Sequence, residues 1–304
     1  MQKEEVLIEA LPYIQTYEGK TFVIKYGGAA MTDEALKASF TKDVTLLRKI
    51  GINIVIVHGG GNEITDLSKK LGIETEFVNG QRKTNAATMD VVMMSLAGQL
   101  NKEITRLINQ WGGTALGLCG VDNSLIKAKK QTPIDGIDLG MVGTVTHVNT
   151  PFLELLLANG MMPIIAPVGV GAAGELYNIN ADLAAGAIAQ ALKAEKLVYL
   201  SNTEGVLVGG ERASTLTKSR AEELITTGVI SGGMIPKVTS AFDALSGGVR
   251  KVHFINGSVK HSLLLEIFTD EGIGTQIIQD ETPSVMPFSQ GINTTLALAA
   301  TLIQ

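Results

Sequence analysis

Two short apolar runs in this chain end in glycine clusters. Phe22-Val23-Ile24 is followed at once by Lys25-Tyr26-Gly27-Gly28, and Ile52 to Val57 by His58-Gly59-Gly60-Gly61. Such runs read as buried strands, and glycines just beyond a strand let backbone N–H groups turn towards an anion. Leu36, Phe40, Val44 and Leu47 recur at helical spacing between the runs, and a second helix from about Asn62 to Leu71 ends at Gly72. A β-α-β-α beginning requires a parallel sheet with right-handed crossovers. Ligands of such sheets bind beyond the carboxyl ends of the strands, which is where both glycine clusters fall.

The rest of the chain continues the alternation. Residues 3–17 carry Val6, Ala10, Ile14 and Tyr17 at helical spacing with Pro12 among them, which predicts a kinked amphipathic helix ahead of the first strand. Phe77 to Arg82 reads as a turn, and Thr84 as the cap of a long helix with Met89, Val92, Leu96, Leu100 and Ile104 on its apolar face. Short β-prone runs between Gly112 and Val148 predict hairpins forming a flap. Helix 150–159 and strand 162–167 follow, and then an alanine-rich helix capped by Asn180 or Asp182. Strand Leu197–Leu200, loop Ser201–Gly205, helix Arg220–Gly228, the Pro236 helix and strand Val249–Ile255 complete the pattern. The reading is an α/β three-layer αβα sandwich around a mainly parallel sheet, with domains over 1–194 and 195–304 and a tail from 280 to 304.

Composition excludes several classes. A net charge of −5 over 304 residues argues against a nucleic-acid or anionic-membrane surface, so any phosphate must be met by a few local cations and N–H groups. The lone Cys119 rules out an intrachain disulfide framework and fits a reducing compartment. No run reaches about 18 apolar residues and the N-terminus has no leader pattern, so the expected location is cytoplasmic.

Tempting motifs fail on context. Gly19-Lys20-Thr21 has Ile14 where a P-loop needs glycine, and it precedes a strand. Gly169-Val-Gly171-Ala-Ala-Gly174 is not followed by a helix to hold a pyrophosphate. His58-Gly59-Gly60-Gly61 lacks the G-x-S-x-G partner of an esterase. The four histidines show no metal-ligand spacing, so no protein metal site is expected. What remains is two glycine-ended strands, Lys25 and Lys237 beside glycines, Arg82, and Asp182 at a helix start. Glycine N–H groups flanked by lysines suit phosphoryl transfer, where catalysis is mostly positioning and charge stabilisation.

The stretches Lys25 to Met31, Val57 to Gly61, Phe77 to Arg82, Tyr177 to Asp182 and Gly232 to Lys237 resemble, in order and spacing over roughly residues 1–279, the acetylglutamate kinases of the amino-acid kinase family. The resemblance implies the amino-acid kinase, carbamate kinase-like fold, with N-acetyl-L-glutamate in the N-terminal domain and ATP carrying Mg²⁺ in the C-terminal one. The implied reaction phosphorylates the side-chain carboxylate of N-acetyl-L-glutamate, the second step of arginine biosynthesis. On it, Lys25 and Lys237 stabilise the transition state and Asp182 holds both. Gly60, Gly61, Arg82, Asn178 and Asn180 contact the acid. Gly27, Gly28, Gly59, Ser201, Asn202, Gly205, Val206, Leu207, Val229, Ile230, Ser231 and Met234 face phosphate and nucleotide. A carboxylate nucleophile, with an ordinary pKa of about 4.3, is ionised at neutral pH and needs no general base.

The kinked N-terminal helix and residues 261–272 resemble the arginine-inhibited branch, which implies a homo-oligomer, a dimer or a ring-like hexamer linked by that helix. It also implies an arginine site at Glu266 and Gly272. Three places depart from the family pattern: Ser201-Asn202-Thr203 where Thr-Asp-Val is usual, Asn256-Gly257-Ser258 for Asp-Gly-Arg, and Gly120-Val-Asp122-Asn123 for Gly-Lys-Asp-Gly. The alternatives are a kinase of glutamate, aspartate, carbamate or uridylate, or a weakly active arginine sensor derived from the kinase.

Overall fold

The computed structural model describes residues 8–231, 234–269 and 272–280, apart from the Pro236 side chain. Val6, Gly232, Gly233 and the tail from 281 onward, on which expectations were placed, lie outside the described residues.

Eight strands make one central sheet: β1 (Thr21–Tyr26), β2 (Asn53–His58), β3 (Ala115–Cys119), β4 (Met162–Ala166), β5 (Lys196–Ser201), β6 (Thr215–Thr217), β7 (Lys251–Asn256) and β8 (Thr275–Ile278). Their order is β6-β8-β7-β5-β1-β2-β4-β3, and every neighbouring pair is parallel except β7 and β8. The sheet runs unbroken through β1 and β5, so both proposed domains share it. Side chains alternate across the pleat. Val23, Val55, Val57 and Tyr199 enter one core, with helices Ala181–Ala191 and Met234–Ser246. Phe22, Ile24, Ile54 and Ile56 enter the other, with helices Glu34–Lys49 and Gly61–Lys70 and the long helix after residue 85. Helix, sheet and helix are therefore three layers, as the alternation predicts. Among the described residues no helix is long and apolar enough to cross a membrane.

Local chemistry corrects three expectations. Asn85, not Thr84, caps the long helix: its side-chain oxygen accepts from Thr88 N–H at 2.8 Å, while Thr84 is drawn into a bridge with Gly140. That helix is not uniform, since Met93–Leu100 is π-helical between Ala86–Val92 and Asn101–Gln110. The expected flap also loses its first run, because Ala115–Cys119 is the edge strand of the main sheet. The flap itself is a four-stranded sheet of Ile126–Lys130, Gly143–Val148, Val168–Val170 and Leu176–Asn178. Gly171 to Glu175 is a tight return between two of its strands, in keeping with the rejection of a dinucleotide loop there. Ahead of β1, Ala10 is a turn and helix Leu11–Tyr17 starts with Pro12 in its first turn, so the proline opens a helical segment.

Gly60, just beyond β2, has no room for a side chain. Its φ is +148°, and a Cβ there would lie 2.3 Å from a Leu96 methyl and 2.8 Å from a Leu100 methyl. Gly60→Ala is therefore expected to cost about 2 kcal/mol or more, from overpacking and an unfavourable φ together. Urea unfolding measures this, and a loss below about 0.5 kcal/mol would contradict the crowding, being within ordinary surface effects.

Candidate active site

The pleat decides which way the two glycine-ended strands present their last side chains. Lys25, two residues beyond Val23, points to the face covered by helix Ala181–Ala191. There its Nζ lies 2.9 Å from Oδ1 of Asp182, the second residue of that helix. Lys237, from helix Met234–Ser246 on the same face, brings its Nζ to 3.8 Å from the other carboxylate oxygen. Asn180 is the cap, accepting from the N–H groups of Asp182 and Leu183 at 2.8 and 3.2 Å. Asp182 is thereby left for the cations. Its Oδ1 is buried with no partner of hydrogen-bond geometry among the described residues, so Lys25 is held by charge. The ammonium lies against Gly27, where a Cβ would come within 2.8 Å of it.

The glycine pair after β1 is tied to the far half of the sheet. Gly28 has φ +72°, and the Ala29 N–H donates to the Asn202 side-chain oxygen at 2.7 Å. Asn202 follows β5, so the loop after β5 touches the first glycine loop directly. Ser201 Oγ pairs with Thr203 Oγ1 at 2.7 Å. Gly205 has φ +117° and packs on Thr275, whose hydroxyl accepts the Val206 N–H at 2.8 Å. Val206 and Ile230 are buried in the core beneath, while Leu207, Val229 and Ser231 are exposed and Met234 is half-buried.

A cavity of about 200 Å³ opens beside Gly59, Gly60 and Gly61 and is also lined by Phe77, Arg82, Asn178 and Asn180. Arg82 reaches it from the hairpin Phe77 to Arg82, whose Asn79-Gly80 turn has φ 47° and 77°, the primed turn that matches strand twist. The Arg82 side chain is 7% exposed; Nη2 donates to Gly61 O and Thr65 Oγ1, both at 2.8 Å. Nη1 is buried with no partner among the described residues. A buried guanidinium with an uncommitted N–H edge is suited to a carboxylate. Asn178 Nδ2 donates to Thr84 Oγ1 at 3.1 Å and fixes the flap against the loop after Arg82.

Glu266 and Gly272 lie elsewhere, at a second cavity of about 170 Å³ also lined by Tyr13, Tyr17, Lys196, Lys251 and His253. Glu266 is buried, and its oxygens accept from His253 Nδ1 at 2.7 Å and from the N–H groups of Ile273 and Gly274 at 2.8 and 2.9 Å. Burial alone would raise its carboxyl, but these donors hold it below its ordinary value. Lys196 Nζ approaches His253 Nε2 at 3.1 Å. Burial lowers the His253 pKa to about 4, so the ring is neutral and passes a hydrogen bond from lysine to carboxylate. Burial, then Lys251, lowers Lys196 to about 8.

Sequence reasoning passed over His58 and Asn101, both wholly buried. The signal available was the position of His58 directly before three glycines. Its Nδ1 pairs with Gly59 O at 2.8 Å and its Nε2 with Asn101 Nδ2 at 3.2 Å, and burial lowers its pKa to about 4.

Comparison with known proteins identifies relatives of this chain. Residues 20–256 match the model of the amino acid kinase family. An acetylglutamate kinase of Chlorobaculum tepidum is 56% identical over 275 residues, covering 90% of this chain and 96% of that protein. An acetylglutamate kinase of Aquifex aeolicus is 54% identical, covering 91% of this chain and 98% of that protein. Among solved structures, N-acetylglutamate synthase from Neisseria gonorrhoeae, complexed with coenzyme A and N-acetyl-glutamate, superposes with a TM-score of 0.84 at 28% identity. It covers 93% of this chain, which spans 65% of the synthase. Carbamate kinase from Giardia lamblia, at 17% identity and a TM-score of 0.63 over 86% of this chain and 99% of that one, shares the fold.

The neutral burial of His58 has a consequence for stability. In the unfolded chain it takes up a proton near 6.5; in the folded chain it resists until about 4. Between those values the unfolded state binds more protons, so stability is fully present above pH 6.5 and falls as pH drops towards 4, by roughly 3 kcal/mol at most. Urea unfolding at pH 7 and 4.5 is expected to show a smaller drop for His58→Gln than for the parent. Equal drops would contradict the assignment.

Proposed function

The chain belongs to the amino acid kinase family and is an enzyme of the acetylglutamate kinase kind; we propose that it transfers the γ-phosphoryl group of ATP to the side-chain carboxylate of N-acetyl-L-glutamate. The products are N-acetyl-L-glutamyl 5-phosphate and ADP. The observation that carries the assignment of roles is the meeting of Lys25, from the end of β1, and Lys237, from helix Met234–Ser246, on the carboxylate of Asp182.

In this reading the residues before about 194 hold the acid and those after it hold the nucleotide, whose phosphates bring the magnesium ion with them. Arg82 offers its open Nη1 edge to one carboxylate of the acid, and Asn178 and Asn180 border the same cavity. The acid's other carboxylate oxygen attacks the γ-phosphorus as the bond to the β-phosphate oxygen breaks. Negative charge shifts towards the leaving ADP, and three equatorial oxygens carry the rest. Lys25, poised over Gly27, and the free N–H of Gly60 meet this charge on the acid's side, and Lys237 meets it on the nucleotide's side. No proton has to be removed from the nucleophile, so Asp182 organises the lysines. Asn202 to Leu207, Val229 to Ser231 and Met234 carry the nucleotide.

The second cavity supports feedback inhibition by arginine. Lys196 and Lys251 offer cations to the effector's carboxylate, and Glu266 offers negative charge to its guanidinium. Tyr13 and Tyr17 line the same cavity from the N-terminal helix, and Leu11 on that helix and Ile8 ahead of it are exposed, which favours the helix's use as an arm joining subunits of a homo-oligomer.

Lys237→Ala is expected to leave ATP binding nearly intact and lower turnover at least a hundredfold, by analogy with removal of one transition-state donor. Coupled ADP release with N-acetylglutamate or glutamate as acceptor tests both points. Near-normal turnover by the variant, or equal use of glutamate, overturns the reading. Arginine is expected to inhibit the enzyme and raise its melting temperature, and Lys196→Met to raise the half-inhibiting concentration at least about tenfold, the worth of one charge-assisted contact. Arginine without effect on either quantity removes the regulatory part alone.

A further inference from the structure

The peptide between Gly59 and Gly60 sits at the border of the first cavity, and its two polar ends face opposite fates. A peptide unit is planar and trans, so its carbonyl and its N–H point in opposite directions. The carbonyl of this unit, Gly59 O, is met by the His58 Nδ1 at 2.8 Å. The N–H of the same unit, on Gly60, makes no hydrogen bond among the described residues, and Gly60 lines the cavity. Whatever fixes the carbonyl therefore aims the N–H.

Flanking chemistry leaves this unit free to turn over unless something holds it. Glycine on both sides gives no Cβ to oppose rotation of the plane, and a turned unit would place a carbonyl oxygen where the proposed reaction needs a donor. Two neighbours bear on it. Leu96 and Leu100, from the π-helical stretch, occupy the space where a Gly60 Cβ would stand. Asn101, the residue immediately after that stretch, reaches His58 from below.

Asn101 also decides which ring nitrogen of His58 carries the proton. Its Nδ2 lies 2.8 Å from Ile164 O in β4, 3.1 Å from Leu118 O in β3, and 3.2 Å from His58 Nε2. An amide NH₂ has two hydrogens and accepts none, so one goes to Ile164 O, the other is shared between Leu118 O and the ring, and a hydrogen on Nε2 would face a donor. His58 Nε2 is then an acceptor and Nδ1 carries the hydrogen, the tautomer able to donate to Gly59 O. Side-chain alternation puts His58 on the face opposite Lys25, since Ile54 and Ile56 share its core. The lysines and the histidine therefore act on the site from different layers.

We propose that His58, anchored by Asn101, is a positioning residue of the transfer site. Its Nδ1–H holds the Gly59 carbonyl out of the cavity and thereby keeps the Gly60 N–H aimed into it. The proposal rests on the phosphoryl-transfer reading above, because it gives the Gly60 N–H the task of meeting the acceptor carboxylate and the moving phosphoryl group.

The test uses three variants of the full chain. Asn101→Asp is nearly isosteric and, as the carboxylate, can only accept, which draws the proton onto His58 Nε2 and leaves Nδ1 as an acceptor facing a carbonyl. His58→Leu removes the donor, and His58→Asn restores a donor near the Nδ1 position. Turnover is expected to fall about a hundredfold in Asn101→Asp and His58→Leu, the loss typical of one misplaced transition-state donor. KM for both substrates should move less than threefold, and His58→Asn should recover at least tenfold of the loss, on the same scale. Nitrogen NMR of the ring is expected to report Nδ1–H in the parent and Nε2–H in Asn101→Asp. Parent-like turnover in a folded Asn101→Asp protein whose tautomer has switched overturns the proposal, as does His58→Asn remaining as slow as His58→Leu. Should His58→Leu fail to fold, Asn101→Asp and His58→Asn still decide. If the parent itself does not phosphorylate N-acetylglutamate, the reaction assignment fails, while the ring tautomer and its switch stay measurable.

Discussion

One carboxylate holds this site together. Asp182 draws Lys25 and Lys237 to its two oxygens, and the two lysines come from elements that share no local sequence. Two ammonium groups gathered on one carboxylate repel each other by a few kcal/mol at an effective dielectric of about 20. A carboxylate between them cancels that repulsion without neutralising the site, because the triad keeps one net positive charge. On the proposed reading, an arriving phosphoryl group finds cations already assembled. The missing hydrogen-bond geometry at Asp182 Oδ1 fits this role, since ammonium N–H bonds that are not committed can turn to an anion.

The triad can form only because of how the sheet is built. β1 lies between β5 and β2, so its end is central, and the parallel order brings the ends of β2 and β5 beside it. Helix Ala181–Ala191 then runs from its own cap, Asn180, with its amino end over that edge. The helix N-terminus adds partial positive charge where anions are to bind. Tyr199, on β5, reaches Ser240 Oγ at 3.0 Å and so links the sheet to the helix that carries Lys237.

Much of this was legible in the sequence. A lysine and glycines after an apolar run, repeated with a histidine and three glycines, placed both glycine clusters at one sheet edge, and alternation of strands and helices gave the three layers. The Phe77 to Arg82 turn was legible from Asn79-Gly80, because few residues accept a positive φ. What could not be read were contacts between distant residues that carry no local signature. His58 meets Asn101 across 43 positions, and the π-helical stretch that sets up Asn101 reads as an ordinary apolar helix face. Thr84 and Asn85 are both acceptable caps, and tertiary bridging to Gly140 chose between them. Ala115–Cys119 reads like the β-prone runs after it, and only β4 beside it makes it part of the main sheet.

The departure at Asn202 is best understood through its bond to Ala29. The side-chain oxygen accepts the Ala29 N–H at 2.7 Å and stands 2.5 Å from where a Gly28 Cβ would be, so it also enforces glycine there. An aspartate would make the same bond with a carboxylate oxygen, so the amide loses no acceptor at this contact. It does remove one negative charge from the edge of the loop proposed to face the phosphates. Close to a transferring phosphoryl group such a charge opposes the lysines rather than assisting them. The exchange of carboxylate for amide is therefore compatible with phosphoryl transfer on electrostatic grounds, and it keeps the mechanical link between the nucleotide segment and the first glycine loop.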